Sequence, residues 1–382
     1  MYHHDSRSYE QASSEAAKRG REKMEAIIAK GQQNAHAVLE QVERQVPKDL
    51  IATTKAIKVI APIGTDRFGL AIQNGNPIPM HEHALAQVAD KAGFNNTFLN
   101  SLRMVKAPED DPWNQELIAH NFNQLLLHND SRNLIRVVEE KGQEEVRGFL
   151  SDRFRRLDSR PLLDTFMKAC MEIGAVPVDG YALDTRVRMR AVLPYVFEPI
   201  KNEVMLFGAQ WGNSDFGNGG HTVSLFNIRV WCTNTAICDE VLRQVHLGKR
   251  LEDNIIYSRQ TYELDTKANA SAMKDIVLDC LSAEKVNGYL QYIREAGEDK
   301  IGEKDVLRIL KNKLGKQEQE KVIDLFDGPD VVNLPAGSTT YRLSNAISFF
   351  AQTEGISRNR QLDLQRLAGE LVPVAHAKVR EV

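Results

Sequence analysis

The 382-residue sequence has few cysteines and no long apolar run. Its four cysteines are too few and too scattered for a disulfide framework, so we expect reduced, mostly buried thiols. No apolar run approaches the ~18 residues of a membrane span, and the first residues lack the apolar core of a signal peptide. The sequence therefore predicts a cytoplasmic protein with no membrane partner.

An excess of charge of either sign is also lacking. The 49 lysines and arginines nearly balance the 52 aspartates and glutamates, which leaves a formal net charge of -3. The field of the whole chain is too weak to attract nucleic acid, so any such affinity must come from a local basic patch. With 42% hydrophobic and 26% charged residues, the composition is that of a folded protein and excludes a disordered chain.

Signatures of common enzymes and cofactor sites are missing. Gly315-Lys316 is followed by Gln317, so the sequence has no phosphate-binding loop, and it has no Gly-x-Ser-x-Gly elbow. Glycines between 217 and 220 separate two predicted strands without a following helix N-terminus, which indicates a turn and not a dinucleotide site. We therefore expect no catalytic residue and no cofactor.

Two groups of potential metal ligands have unsuitable spacing. Cys232, Cys238 and His246 fit no zinc pattern and lack a fourth ligand, so we interpret the cysteines as buried structural residues. His81 and His83 stand two positions apart at the start of a predicted helix, where their side chains diverge. The sequence predicts no metal site.

The hydrophobic periodicity predicts an α+β fold in three regions. Residues 1–50 contain an amphipathic helix, 51–265 an α+β core and 266–382 a mainly helical C-terminal region. The apolar stripe of the first helix must pack on the body or on a neighbouring subunit, so the prediction includes a homo-oligomer.

The core region contains the signals of a central antiparallel sheet flanked by helices. Residues 133–150 have the pattern of a β-hairpin. Strands are expected at 185–192, 204–210 and 222–232, followed by a helix at 237–247, which makes a β-β-β-α unit.

Arginines alternate along the first of these strands. Arg186, Arg188 and Arg190 share one face at a spacing of ~6.6 Å, which matches successive phosphates of an extended single strand. Salt-bridged arginines on a solvated face are the alternative. The predicted nucleic-acid site adds a second rim and three stacking aromatics, which are Arg153, Arg155 and Arg156, and Phe154, Tyr181 and Trp231.

Four sequence blocks resemble the phage- and plasmid-associated family catalogued as domain of unknown function 932. They are VRGFLSDRFRRLD at 146–158, NSDFG at 213–217, RVWCTN at 229–234 and YRLSNA at 341–346. The resemblance runs from about His81 to about Gln352, and Thr235 departs from it where glycine is expected. It implies a mobile-element setting near DNA-processing genes and no established catalytic activity. The strand and helix order is also similar to Rad52-like single-strand annealing proteins.

The leading hypothesis is a phage- or plasmid-encoded protein of DNA metabolism and recombination. It would bind single-stranded nucleic acid and anneal it as an oligomer. One alternative is a structural or assembly protein of a phage particle, which oligomerises through the N-terminal helix. The other is an enzyme with an unrecognised polar site around Asn213, Ser214, Asp215 and His221.

Overall fold

The structure, a computed structural model, describes residues 9–62, 66–108, 111–231, 234–244, 246, 257–328 and 334–380. It confirms the α+β fold, because it combines antiparallel sheets with a helical C-terminal region. Within these ranges, no helix is both long and apolar enough to cross a membrane.

The N-terminal helix packs on its own chain. Helix α1 (Glu15–Arg44) begins at Ser14, whose side chain accepts a hydrogen bond from the Ala17 amide, and it continues unbroken through Gly31. The helix runs along strand β7 (Val176–Ala182), and a Cβ at Gly31 would overlap the backbone of Val178. Glycine in mid-helix therefore permits contact between the backbones of helix and strand.

The predicted hairpin is confirmed, but it belongs to a sheet of its own. Strands β1 (Lys48–Thr53), β5 (Arg132–Glu140) and β6 (Gln143–Ser151) form a three-stranded antiparallel sheet. The prediction that the hairpin and the later strands form a single central sheet is thus wrong. The hairpin pairs with β1 through β5 and does not join the larger sheet. A small sheet and three helices pack against it: β2 (Ile57–Ile60), β3 (Gly69–Ile72), β4 (Ile78–Pro79), α2 (Glu82–Ala92), α3 (Asn96–Arg103) and α4 (Trp113–Leu127).

The larger sheet has six antiparallel strands. It contains β7 and, in chain order, β8 (Val187–Val192), β9 (Phe197–Ile200), β10 (Glu203–Asn213), β11 (His221–Arg229) and β12 (Thr235–Gln244). The strand order is β12-β11-β10-β8-β7, and β9 pairs with β10. The three predicted strands are confirmed.

The predicted helix at 237–247 is wrong. Residues 235–244 form β12, whose Ile237 pairs with Phe226 of β11. Ala236, Ile237 and Cys238 are all buried, and a short run buried on both sides has neither clear strand nor clear helix periodicity. Pairing with β11 therefore decides the local structure.

Helices cover both faces of the larger sheet. One face packs on α5 (Ser159–Glu172), α6 (Arg259–Cys280) and α7 (Ala283–Glu298). The other face packs partly on the first half of α1 and partly on the C-terminal helix. The C-terminal region contains α8 (Glu303–Leu310), α9 (Lys316–Asp327), α10 (Thr340–Phe350) and α11 (Arg358–Arg380).

We expect Gly31→Ala to lower the free energy of unfolding by roughly 1–3 kcal/mol, because the added methyl group must push α1 away from β7. The matched control is Gly288→Ala in α7, where an added Cβ meets no atom within 4 Å. The control should gain roughly 0.5–1 kcal/mol from helix propensity. Denaturant titration measures both, and an unaltered stability of Gly31→Ala would contradict the close packing.

Candidate functional site

Two arginines face each other across the larger sheet. The strand register places Arg188 opposite Gly212, Gly212 opposite Thr222, and Thr222 opposite Arg243. Directly paired residues share a face, and three strand spacings of about 4.8 Å separate the arginine Cα atoms by roughly 14 Å. A Cβ at Gly212 would lie only 3.2 Å from Thr222 Oγ1 and 3.5 Å from Arg188 Cγ. The glycine therefore lets the Thr222 and Arg188 side chains approach the backbone of β10, which leaves a narrow trough between the two arginines.

Two further arginines close this trough into a cavity of about 120 Å³. Arg186 enters from the turn between β7 and β8, and Arg366 from α11. The turn 218–220 between β10 and β11 forms one end. We call this site the arginine cleft and define it by Arg186, Arg188, Arg243 and Arg366. No aspartate or glutamate is among its described lining residues.

The surrounding elements hold Arg186 in place. Its Nε donates to the carbonyl oxygen of Asn218, and its Nη1 donates to the side-chain oxygen of Asn359 on α11. Gly219 has a φ of 136°, which favours glycine, and a Cβ there would lie 3.4 Å from Arg186 Nε. The turn backbone thus fits directly against the guanidinium.

Arg188 lacks such support. Its Nη1 is buried and donates a hydrogen bond to none of the protein atoms that the structure describes. Burial lowers the pKa of Arg188 to about 10; the charges of Arg190, Arg366 and Arg186 act in the same direction, and Tyr181 opposes them. Cations that are drawn together and partly desolvated are under electrostatic stress, which a bound anion would relieve.

Arg190, the third arginine of the predicted face, is engaged by protein groups. Its Nε donates to Gln210 Oε1 at 2.7 Å, its Nη2 to Gln365 Oε1 at 2.8 Å, and its Nη1 lies 3.6 Å from Asp179. Gln365 belongs to α11, which lies over this part of the sheet. The expected row of three open phosphate contacts along β8 is therefore absent from the described structure, because α11 covers it.

A smaller pocket of about 60 Å³ adjoins the arginine cleft and shares Arg188 with it. We call it the Tyr181 pocket and define it by Asp179, Tyr181, Arg188, Arg190 and Arg358. The Arg358 guanidinium lies 4.7 Å from the centre of the Tyr181 ring. Tyr181 is thus the predicted stacking residue that lies beside the arginines.

The second predicted rim of arginines lies elsewhere. Arg153 is exposed, Arg155 forms an ion pair with Asp265, and Arg156 forms one with Asp49. None of the three lines the arginine cleft or the Tyr181 pocket. Arg155 and Arg156 are therefore engaged in ion pairs within the fold.

The other two predicted stacking residues are already in contact with the protein. Phe154 is buried and stacks on His246 with 4.8 Å between ring centres. Trp231 donates from Nε1 to the Asn202 carbonyl at 2.7 Å. Trp231 therefore lies near the start of β10, whereas the arginine cleft lies near the end of that strand. Neither ring belongs to the cleft.

Two of the four residues of the possible enzyme site share a hydrogen-bond network, and the other two lie apart from it. Asp215 accepts hydrogen bonds from the Ser159 amide and hydroxyl, both at 2.8 Å, and burial raises its pKa to about 7. Ser214 Oγ donates to the Thr185 carbonyl at 2.7 Å. His221 Nε2 faces Met273 Sδ at 3.1 Å. The Asn213 amide donates to the Leu157 carbonyl at 2.7 Å, to Ser159 Oγ at 3.0 Å and to Asp215 Oδ1 at 3.2 Å. Asn213 and Asp215 therefore share a buried network with Ser159, whereas Ser214 and His221 have separate contacts.

The histidines and cysteines considered as metal ligands also make structural contacts. His81 Nδ1 accepts from the His83 amide at 3.1 Å, and His83 Nε2 lies 2.9 Å from the Phe216 carbonyl. Cys238 is buried, and Cys232 lies outside the described residues. In the ranges that the structure covers, no three His, Cys, Asp or Glu residues are grouped as metal ligands.

A buried ion network fixes the turn that ends the cleft. Arg136 of β5 is fully buried; its Nε donates to Asp49 at 2.9 Å and its Nη2 to Asp158 at 2.6 Å. Its Nη1 donates to the Asp215 carbonyl at 2.9 Å. Burial alone would lower the pKa of Arg136, but Asp158 and Asp49 outweigh this effect and raise it. The guanidinium thereby joins the sheet of β1, β5 and β6 to the turn between β10 and β11.

Sequence reasoning missed three arginines of the site. Arg243 was hidden by the wrong helix assignment at 237–247. Arg358 and Arg366 lie in the C-terminal region that the sequence predicts to be helical, and their spacing could have identified them. Together with Gln361 and Gln365 they recur at helical spacing, which marks one basic and polar face.

Comparisons with family models, curated proteins and solved structures give no match to this chain. The two resemblances stated from the sequence stay predictions.

We expect Arg136→Met to lower the free energy of unfolding by about 3–5 kcal/mol, because it removes the buried cation between Asp158 and Asp49 and leaves Asp49 with Arg156 alone. The control is Arg160→Met, which removes an exposed ion pair with Glu43 and should cost about 1 kcal/mol or less. Chemical denaturation measures both. If both substitutions lower the free energy of unfolding equally, the Arg136 network does not hold the sheet of β1, β5 and β6 to the β10–β11 turn.

Proposed function

We propose that this chain binds single-stranded nucleic acid by placing phosphate in the arginine cleft. The observation that carries the proposal is the convergence of four guanidiniums on one cavity with no carboxylate among its described lining residues. Guanidinium groups match phosphate in shape and charge and bind it through two parallel hydrogen bonds. Arg188 is the best placed of the four, because its buried Nη1 has no acceptor among the described residues.

The neighbouring pocket favours nucleic acid over a simple anion. Tyr181 lies next to Arg188 on the paired strand, so an aromatic ring stands beside the phosphate position. Single-strand binding sites combine a basic groove with aromatic rings in this way. Because the whole chain carries only -3 charges, the affinity must arise locally and depend on salt.

The alternatives have less structural support. The apolar stripe of α1, which suggested an assembly protein, is covered by the chain's own sheet. In the possible enzyme site, Asn213 and Asp215 share a network with Ser159, whereas Ser214 and His221 have separate contacts. Annealing, a homo-oligomer, a cytoplasmic location and a phage or plasmid origin belong to the proposal as predictions from the sequence.

The double variant Arg188→Gln/Arg243→Gln should reduce the slope of log affinity against log salt by about 1.4, since each phosphate contact on a single strand contributes roughly 0.7. Fluorescence anisotropy with a thymidine oligonucleotide measures the slope. Arg160→Gln, an exposed arginine paired with Glu43, is the control and should leave it unchanged. An unaltered slope in the double variant would contradict the proposal.

A thermal melt of Arg188→Gln accompanies this test. Without ligand, its melting temperature should equal or exceed that of the wild type, because the substitution removes a desolvated cation from among its like charges. A purely structural arginine would show the opposite, with a lower melting temperature.

A further inference from the structure

We infer that a second basic cleft, at the other end of the larger sheet, contacts the same nucleic-acid strand as the arginine cleft. This inference rests on the proposed function and adds a contact site to it. The second cleft lies between α1, the turn between β9 and β10, and the segment 334–341. We call it the Trp231 cleft and define it by Arg19, Lys23, Lys201 and Trp231.

Close packing fixes the part of α1 that borders this cleft. Arg19 and Lys23 lie four positions apart on the same side of the helix, and Ala16 one turn earlier is buried. Between the two cations, Gly20 lies against the start of β10, because a Cβ there would come within 2.6 Å of Val204 Cγ1. The backbone that carries the two cations therefore has a defined position on the sheet.

Glu198 fixes the third cation relative to the first two. One of its oxygens accepts a hydrogen bond from the Ser14 hydroxyl at the start of α1, and the other accepts from the Asn202 amide at 2.6 Å. Asn202 has a φ of 66°, in the left-handed region that asparagine tolerates, and its carbonyl accepts from Trp231 Nε1 at 2.7 Å. The turn thereby places Lys201 and the Trp231 ring beside α1.

The three cations of the cleft are not compensated by the protein. Arg19, Lys23 and Lys201 form no ion pair with any residue that the structure describes. Glu203 is the one carboxylate among the described lining residues, and both of its oxygens accept from Arg229, at 2.5 and 2.7 Å. Even when the charge of the nearby Glu198 is subtracted, the cleft has an excess of positive charge.

This local charge is opposite in sign to the charge of the whole chain, which is -3. A basic patch on such a chain attracts polyanions locally. Residues 232–233 and 329–333 adjoin lining residues in the sequence and lie outside the described residues. The charges of the named side chains, and not the shape of the cavity, therefore carry the inference.

The aromatic ring in the cleft favours a nucleic-acid strand over other polyanions. Trp231 is partly exposed, and Lys23 Nζ lies 5.1 Å from the centre of its ring. Sites for single strands combine cations that contact the phosphates with aromatic rings that contact the bases. An acidic peptide would use the cations alone.

The two clefts are accessible to one strand of moderate length. Arg188 and Val192 lie on the same side of β8, and Val192 packs in one cluster with Ala16 of α1, so α1 and the arginine cleft share a face of the sheet. Glu203 at one cleft and Gly212 at the other are separated along β10 by roughly 30 Å. An extended strand of about five or more nucleotides covers this distance.

The triple variant Arg19→Gln/Lys23→Gln/Lys201→Gln tests the second cleft. With a thymidine oligonucleotide of about 20 nucleotides, it should reduce the slope of log affinity against log salt by about 2, because three phosphate contacts contribute roughly 0.7 each. The matched control Lys58→Gln/Lys106→Gln/Lys141→Gln removes the same charge from exposed lysines near the smaller sheets and should leave the slope unchanged. At saturation, one strand should bind per chain.

Tryptophan fluorescence gives a readout in the cleft itself. In Trp113→Phe, Trp231 is the remaining partly exposed tryptophan, because Trp211 is buried. The oligonucleotide should quench its emission, since a phosphate bound to Lys23 changes the surroundings of the ring. The quenching should be absent from Trp113→Phe/Trp231→Phe.

The other outcomes overturn the inference in distinguishable ways. An unaltered salt slope in the triple variant, with the expected loss in Arg188→Gln/Arg243→Gln, rejects the Trp231 cleft and leaves the proposed function. A loss in the triple variant alone rejects the proposed function and, with it, a strand shared by the two clefts. Two strands bound per chain also reject a shared strand. Polyglutamate that displaces the oligonucleotide at equal charge concentration indicates a site for acidic peptides and rejects a nucleic-acid site. No binding of any strand rejects both the inference and the proposed function.

Discussion

The buried guanidinium of Arg136 connects the parts of the chain on which the candidate site depends. It holds the carboxylates of Asp49, on the neighbouring strand β1, and of Asp158, directly before α5, and its third nitrogen holds the carbonyl of Asp215. A few residues beyond that carbonyl, Asn218 accepts a hydrogen bond from Arg186. The turn between β10 and β11 is thus fixed at one end by a buried cation and, at the other, positions a cation of the cleft.

The arginines of this chain fall into two electrostatic classes. Arg136, Arg155 and Arg156 each face carboxylates, so their charges are compensated within the fold. In the cleft, Arg186 is held by neutral oxygens, and burial lowers its pKa. Arg188 is the least compensated of these residues. A fold gains little stability from such an arrangement, which supports our proposal that a ligand brings the negative charge.

Sequence periodicity predicted the strands that form the floor of the site, because β8 is buried on one side and polar on the other. It failed for β12, where Ala236, Ile237 and Cys238 are all buried and give no clear period. This failure removed Arg243 from consideration. The contact between α11 and the sheet was equally hidden, since it depends on Gly369 approaching the Ile237 carbonyl, a long-range fit that no local pattern encodes. Sequence alone therefore gave the arginines of one strand but not the cavity they complete.

The most direct test of the account is a crystal structure of the protein with a thymidine dinucleotide. The account predicts electron density for the phosphate above Gly212, between the guanidiniums of Arg188 and Arg243, with Arg188 Nη1 donating to a phosphate oxygen. A dinucleotide bound elsewhere, while the arginine cleft of the same crystal contains only solvent, would contradict the central claim.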